Sequence, residues 1–455
     1  MIYKSETGDF TATLGGDSMM TRRLDVYDEP EFLALANLFR KADVGFVNLE
    51  STVRHWNEGT PGVTQGTYST MAPTLLNDFK WFGINLVSCA NNHAFDYGEG
   101  GVMATIRHLD EAGLSHAGTG ANLSFARAPG YVDTPHGRVG LVAATATFRP
   151  WNAAGGQRPD LQGRPGINPL GFKNSYTVDS KNFDELLRLS DELGFSQERE
   201  RRKKHFYSDK ELGVETDDEV EIFDARIQRG KKFGSSSSVE QADLDDNLKW
   251  IREARRQADW VIFSLHNHEF SSKGTKTATT KSELEDPADF IKAASRAAID
   301  AGADIVVGHG AHFPLGIEIY KGRPIFYGMG NFIFQNDTVP YFPEPAYSRF
   351  DLGPDATPSD FIDARTNNGK KGHPADPAFW ENFAAQCVFS KGKLSEIRIH
   401  PVNQGYGLPR SQRGRPVLAS GKVAKSVLDR ATRVCKQYGT KVDVKNGIGV
   451  IRVGK

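Results

Sequence analysis

Trp260-Val261-Ile262-Phe263-Ser264-Leu265 runs directly into His266-Asn267-His268-Glu269. Six residues dominated by β-branched, aromatic and aliphatic side chains, with no turn former among them, are the pattern of a short strand buried on both faces, as in a parallel sheet covered by helices. The same arrangement recurs at Asp304–Val307, which ends in Gly308-His309-Gly310-Ala311-His312. Four of the twelve histidines thus stand where strand patterns end. Three more strand-like runs finish in polar groups. Phe10–Leu14 leads into Gly15-Gly16-Asp17, Val44–Val47 into Asn48-Leu49-Glu50, and Ile84–Ala90 into Asn91-Asn92-His93. In open α/β sheets ligands gather at the carboxyl ends of strands, so five segments would deliver carboxylates, amides and imidazoles to one cleft.

Working outward, strand patterns alternate with helical ones at Pro30–Lys41, Pro73–Phe82 and Gly101–Ala112, which predicts βαβ units and an α/β class. Arg138–Thr147 is a further core strand. From about 150 to 245 the character changes to an excursion of loops and charged helices, Asp184–His205 and Gln241–Ala258, around a Gly-Ser tract at Gly234–Ser238. Core patterns resume after it, with helix Pro287–Ala301 and strand Pro324–Gly328. An irregular stretch, 336–383, holds Tyr341, Phe342, Tyr347, Phe350 and Phe361, and is expected to wall a substrate pocket. Residues 384–455 return to strands at Ala384–Phe389, Glu396–Pro401 and Gly447–Val453 with a helix at Val423–Tyr438, completing the core.

Composition narrows the function. With 455 residues, 38% hydrophobic and 25% charged, the chain is an ordinary globular protein, and 56 basic against 57 acidic residues give no overall field for nucleic acid or an anionic membrane. Gln197–Lys204 is basic, but its interleaved glutamates mark a solvated helix face. Neither a signal-peptide pattern nor an apolar run of spanning length is present, so a cytoplasmic location is expected. Cys89, Cys387 and Cys435 lack the spacing of a disulfide framework or a thiolate zinc site. A G-x-S-x-G elbow, a phosphate-binding G-x-x-x-x-G-K-[ST] loop and an H-E-x-x-H helix are all missing.

What remains is metal chemistry. Asp17, Glu50, Asn92, His266, His309 and His312 supply carboxylate, amide and imidazole donors from five strand ends, a mixture compatible with one or two divalent ions of Mn, Zn or Fe. Such ions acidify water for attack on a carbonyl or phosphorus centre.

Gly16-Asp17-Ser18-Met19, Asn48-Leu49-Glu50, Ala90-Asn91-Asn92-His93-Ala94-Phe95-Asp96-Tyr97-Gly98, the Leu265-His266 strand end, Gly308-His309-Gly310-Ala311-His312 and Tyr327-Gly328-Met329-Gly330-Asn331-Phe332 follow one another in the order of the CapA, or poly-γ-glutamate capsule biosynthesis, family, which the chain resembles over about 8–147 and 258–335. That family is similar to the calcineurin-like metallophosphoesterases. The resemblance implies two central β-sheets flanked by helices, a core over 8–335 interrupted by the excursion, and hydrolysis of an amide, ester or phosphoester bond in a small or peptide-like substrate. It implies that Asp17 and His312 hold one metal, that Asn92, His266 and His309 hold the other, and that Glu50 bridges them. It implies too that His93 is the acid that protonates the leaving group, with Asp96 either orienting it or capping the helix that begins near Gly98. Two departures stand out. Met19 occupies the place of a histidine that helps hold the first metal, and His266-Asn267-His268-Glu269 replaces a His-Trp-Gly-x-Glu motif, which makes His268 a substrate contact or a substitute ligand. Asn331 and Tyr341 are further substrate-side candidates. The competing class is a non-catalytic protein that binds or tethers an anionic polymer such as poly-γ-glutamate.

Overall fold

Strand Phe10–Met19 lies inside a ten-stranded sheet, pairing in parallel with Val44–Leu49 and with Asn331–Phe334 and antiparallel with Glu381–Ser390. The computed structural model describes residues 7–453 except 65, 206–213 and 224. The sheet continues on one side through Leu86–Ser88 and Ser115–Ala117, and on the other through Lys393–Asn403 and Ile448–Arg452. A second, six-stranded sheet contains Gly137–Thr145, Trp260–His266 and Ile305–His309 side by side and parallel.

The two sheets share one apolar core. Leu14, Phe46 and Ile399 from the first pack with Leu141, Ile262 and Val307 from the second, all without solvent exposure. Helix Gly421–Lys436 adds Val427, Leu428 and Ala431 to that core, its apolar residues recurring at helical spacing. On the other face of the larger sheet, helices Pro30–Arg40 and Leu76–Phe82 close a second cluster around Phe32, Phe39, Phe82 and Phe332. The protein is thus a mixed α/β fold of several sheets flanked by helices. Among the described residues no helix is long and apolar enough to cross a membrane.

The chain divides into two compact units. One comprises Met1–Leu170, Ala242–Glu269 and Ser295–Lys455, and the other Gly171–Gln241 and Phe270–Ala294. The second has its own four-stranded sheet, ordered Glu219–Ile222, Ala225–Gly230, Phe172–Asp179 and Gly234–Val239, with Phe183, Val220 and Ile222 as its core. The segment expected to hold only helices and loops therefore carries strands, and the Gly-Ser tract is one of them. Its serines pair along Phe172–Asp179, for example Ser237 with Asn174 and Ser236 with Ser175. A strand without apolar alternation leaves no periodicity to read.

Two other expectations change. The first strand does not stop before Gly15-Gly16 but runs on to Met19, so Asp17 lies within it, beyond a register irregularity. A Cβ on Gly16 would stand 1.8 Å from the Gly330 carbonyl oxygen, so the glycine marks a close backbone approach rather than a turn. The aromatic residues of 336–383 also pack chiefly on one another: the Phe361 ring lies 4.4 Å from Phe342, 5.9 Å from Tyr347 and 5.6 Å from Phe350. With Tyr68 and Tyr97 they form a satellite core in which Phe342 and Phe361 are buried and Tyr347 and Phe350 are half-buried against it.

Candidate metal centre

Register places the first donors. His266 and His309 are direct partners at the carboxyl ends of the two central parallel strands of the smaller sheet. In the larger sheet Asp17 is the partner of Asn48 on one side and of Asn331 on the other. Parallel strands put residues of equal register at the same height, so sequence-distant side chains meet. Glu50 follows directly on the strand of Asn48 and is fixed by its N–H to the Ser18 carbonyl, 3.1 Å.

These groups form two adjoining sets. Donor atoms of Asp17, His266 and His309 lie within 4.8 Å of one another, and so do those of Glu50, His268 and His312. The sets touch: His266 Nδ1 is 3.9 Å from Asp17 Oδ1, while its Nε2 is 3.6 Å from Glu50 Oε1. His312 Nδ1 lies 3.3 Å from Asp17 Oδ2 and 3.9 Å from Glu50 Oε2. Asp17, Glu50 and His266 have no solvent exposure at all.

Burial raises the Asp17 carboxyl, but the hydrogen bond and positive charge of His312, with His266 and His309 nearby, outweigh it and hold the group well below the ordinary carboxylate range. Burial lowers His266 well below its usual value and His309 to about 4. At neutral pH Asp17 is therefore a carboxylate and His266 and His309 are neutral imidazoles, the protonation states that bind a cation. His266 Nε2 and the buried Asn92 Oδ1 have no hydrogen-bond partner among the described residues. Buried polar atoms left so are costly unless something coordinates them. The donor set fits one or two divalent ions.

Several supporting residues were not singled out in the sequence. Asn48 donates from Nδ2 to Asp17 Oδ1 at 2.9 Å and accepts at Oδ1 from Asn91 Nδ2 at 3.2 Å. Ser264 Oγ contacts His309 Nε2 at 2.6 Å. The Gly310 N–H donates to Asp17 Oδ2 at 3.0 Å with φ at 100°, and a Cβ there would be 2.5 Å from the Asn267 carbonyl oxygen. His373, from the irregular stretch, sets its ring 5.2 Å from that of His312. Polar residues inside strands carry no sequence mark of what they orient. Only register reveals it.

His93 Nδ1 lies 2.7 Å from Asp96 Oδ2, which also accepts the Ser69 N–H at 2.7 Å. Burial pushes the Asp96 carboxyl up, against the opposing pull of His93 and of that N–H. The helix Gly98–Ala112 has Tyr97 at its N-cap and no side-chain cap, so Asp96 is spent on His93. Asn331 uses its whole amide inside the protein. Oδ1 meets His312 Nδ1, and Nδ2 donates to the carbonyls of His312 and Phe379. Tyr341 faces the Arg54 guanidinium, 5.8 Å from its ring centroid, and the same guanidinium lies 4.0 Å over Tyr97.

The profile of a family described as bacterial capsule synthesis protein PGA_cap matches residues 11–336. The uncharacterized proteins y4sH and y4uA of Sinorhizobium fredii are each 33% identical, over 98% of this chain and 93% of theirs. The PGA biosynthesis protein CapA of Bacillus subtilis is 37% identical over 23% of this chain and 25% of its own. A probable polyglutamine synthesis accessory protein of Mycobacterium tuberculosis is 27% identical over 66% of this chain and 58% of its own.

Proposed function

This chain belongs to the bacterial capsule synthesis family PGA_cap, and from that premise we propose that it is a metal-dependent hydrolase of an amide, ester or phosphoester bond. The observation that carries the reading is the union of two buried carboxylates, Asp17 and Glu50, with buried His266, His309 and His312 and half-buried His268 at and just beyond the ends of parallel strands. We propose further that the two-sheet core is the calcineurin-like arrangement that the family resembles. Asp17, Glu50, Asn92, His266, His309 and His312 would hold one or two ions, and His268 would complete the set at the position where Met19 offers no imidazole. A divalent ion such as Mn, Zn or Fe held by these residues would supply acidified water and Lewis-acid polarisation of a carbonyl or phosphoryl oxygen.

The chain's own residues do the rest. As an imidazolium, His93 would give its Nε2 proton to the departing nitrogen or oxygen, while Asp96 accepts from Nδ1–H and fixes the ring. Asn48 and the Gly310 N–H hold Asp17. Asn331 holds His312. Relatives named for PGA or polyglutamine synthesis favour a glutamate amide among the substrates, and Tyr341 beside Arg54 would meet its carboxylate-bearing part.

The test is a screen of γ-glutamyl amides, cyclic amides, lactones and phosphoesters against protein loaded with Mn, Zn or Fe. Turnover that disappears in His266→Ala and in His93→Ala supports the hydrolase. Tight binding of poly-γ-glutamate with no turnover of any of them would make the protein a polymer-binding one instead.

A further inference from the structure

Outside this centre a second set of donors converges on the first long helix of the chain. His55, Glu58 and His108 bring ligand atoms within 4.8 Å of one another. The two imidazole planes stand at 89° with ring centroids 5.2 Å apart, as two ligands of one small ion can. We propose that His108 Nε2, Glu58 Oε2 and His55 form a separate site for a zinc-class divalent cation, with solvent completing the coordination.

His108, on helix Gly98–Ala112, is 6% exposed and flanked by carboxylates at both ring nitrogens. Glu111 Oε2 lies 3.3 Å from Nδ1, and Glu58 Oε2 lies 2.8 Å from Nε2. A neutral imidazole carries one N–H. Placed on Nδ1 and given to Glu111, it leaves the Nε2 lone pair facing Glu58, and this carboxylate–histidine–metal order is how imidazole ligands are commonly fixed. Two nitrogens and one carboxylate oxygen with an open position suit zinc better than magnesium or calcium.

The loop is built in advance. The His55 N–H donates to Glu58 Oε2 at 2.7 Å, and the Glu58 N–H returns to the His55 carbonyl at 3.1 Å. Gly59 follows with φ at 71°, and a Cβ there would stand 2.5 Å from both the Gly101 nitrogen and the Tyr97 carbonyl oxygen, so the loop is pressed on the helix that carries His108. In the absence of an ion the cation of this corner is Arg107. Its guanidinium pairs with Glu58 Oε1 and lies 3.3 Å from His108 Nε2. The side chain is 49% exposed, and an ion on His108 Nε2 has to displace the guanidinium from that nitrogen. Arg107 is therefore a competitor for the site.

Zinc bound per chain is measured on the full-length protein by elemental analysis and by titration against a chelator of known affinity. His55→Ala, at an exposed position, is expected to lose about one equivalent and to weaken that binding step by about 100-fold or more, beyond the roughly 10-fold expected for Glu111→Gln, an outer-shell change. Arg107→Ala should tighten the step. His266→Ala should retain it while losing metal from the main centre, which separates failure of this site from failure of the hydrolase reading. If His55→Ala binds zinc as the parent does, or if Arg107→Ala fails to tighten binding, the site does not exist and the cluster is an ion-pair network only.

Discussion

Asp17 and Asn331 are register partners on neighbouring parallel strands, and both turn a side-chain oxygen to the same ring nitrogen: Nδ1 of His312 lies 3.3 Å from Asp17 Oδ2 and 2.9 Å from Asn331 Oδ1. Hydrogen-bonded in this way, Nδ1 carries the proton and Nε2 is left as the donor to a cation. His312 needs this support because its backbone sits at φ 69°, where a residue with a Cβ is strained.

Asn331→Ala should therefore weaken metal binding by about 10–100-fold, the usual cost of losing an outer partner of an imidazole ligand. It should also destabilise the fold by about 1–3 kcal/mol, since the His312 carbonyl loses this donor and the Phe379 carbonyl is left with Asn382 alone. Metal titration and denaturant unfolding measure the two effects. An unaltered metal affinity would show that Asn331 is only a structural bracket.

The division of labour between His93 and the imidazole ligands gives a second expectation. In His266→Ala and His309→Ala the occupancy of the main centre should fall below about 0.2 equivalents, an order-of-magnitude threshold, with the His55–Glu58–His108 site unaffected. His93→Ala should keep its metal and lose about 10²–10⁴-fold in rate on a substrate with a poor leaving group. Asp96→Asn should behave as a milder His93 variant, with metal intact and a smaller loss of rate, because Asp96 acts only through the ring it holds. A metal-free His93→Ala protein would move His93 into the ligand set.

The donors were legible in the sequence because each stands at or just past an apolar run: His266 after Trp260–Leu265, Glu50 after Val44–Leu49, His309 after Asp304–Val307. What they rest on was not. Asn48 and Ser264 lie inside strands, where a polar residue gives no sign of its partner until register pairs Asp17 with Asn48. The Gly234–Ser238 strand was illegible for a different reason: hydroxyl side chains on both faces erase the alternation, and its pairing comes from Phe172–Asp179, more than 50 residues upstream by numbering. The mutual packing of the aromatic stretch was not legible either, since sequence does not distinguish a small private core from the wall of a pocket.

Gly16 tests the close approach of the two strands that carry Asp17 and Asn331. Gly16→Ala places a Cβ against the Gly330 carbonyl, backbone against backbone, where no side chain can yield. A loss of roughly 3 kcal/mol or more is expected, at the upper end of overpacking effects, with metal affinity falling because Asp17 is the next residue. Gly15→Ala, which meets only the side chains of Phe332 and Val47, should cost less. Equal stability of the two variants in denaturant melts would contradict the backbone-clash argument.

His400 sets an acid limit on stability. Burial, with Arg398 beside it, lowers its imidazole from 6.5 to about 4. Between those values the unfolded chain binds the proton and the folded chain does not, so stability rises with pH. The contribution is complete above the unfolded value and is lost as pH falls through about 4. Its full size is on the order of 3 kcal/mol, as an upper figure. His400→Leu should therefore flatten the dependence of the urea midpoint on pH across that window, by close to one proton's worth of slope. An unchanged slope would mean that His400 is already charged in the folded protein.

The last expectation concerns Phe361, at the centre of the satellite core. Its ring contacts those of Phe342, Tyr347 and Phe350, and the cluster extends to Tyr68 and Tyr97, the latter adjacent to Asp96. Phe361→Ala removes a side chain only 2% exposed, a change that costs about 3–5 kcal/mol when the site cannot collapse. None of Asp17, Glu50, Asn92, His266, His309 and His312 belongs to this cluster, so metal content should stay at the parent value. Turnover should fall, because the support behind Tyr97 and Asp96, and through them His93, is loosened. Limited proteolysis should cut the 336–383 segment sooner than in the parent, while metal content reports on the centre. Loss of metal in a folded Phe361→Ala protein would show that the segment, through His373 and its contact with His312, helps hold the ions themselves.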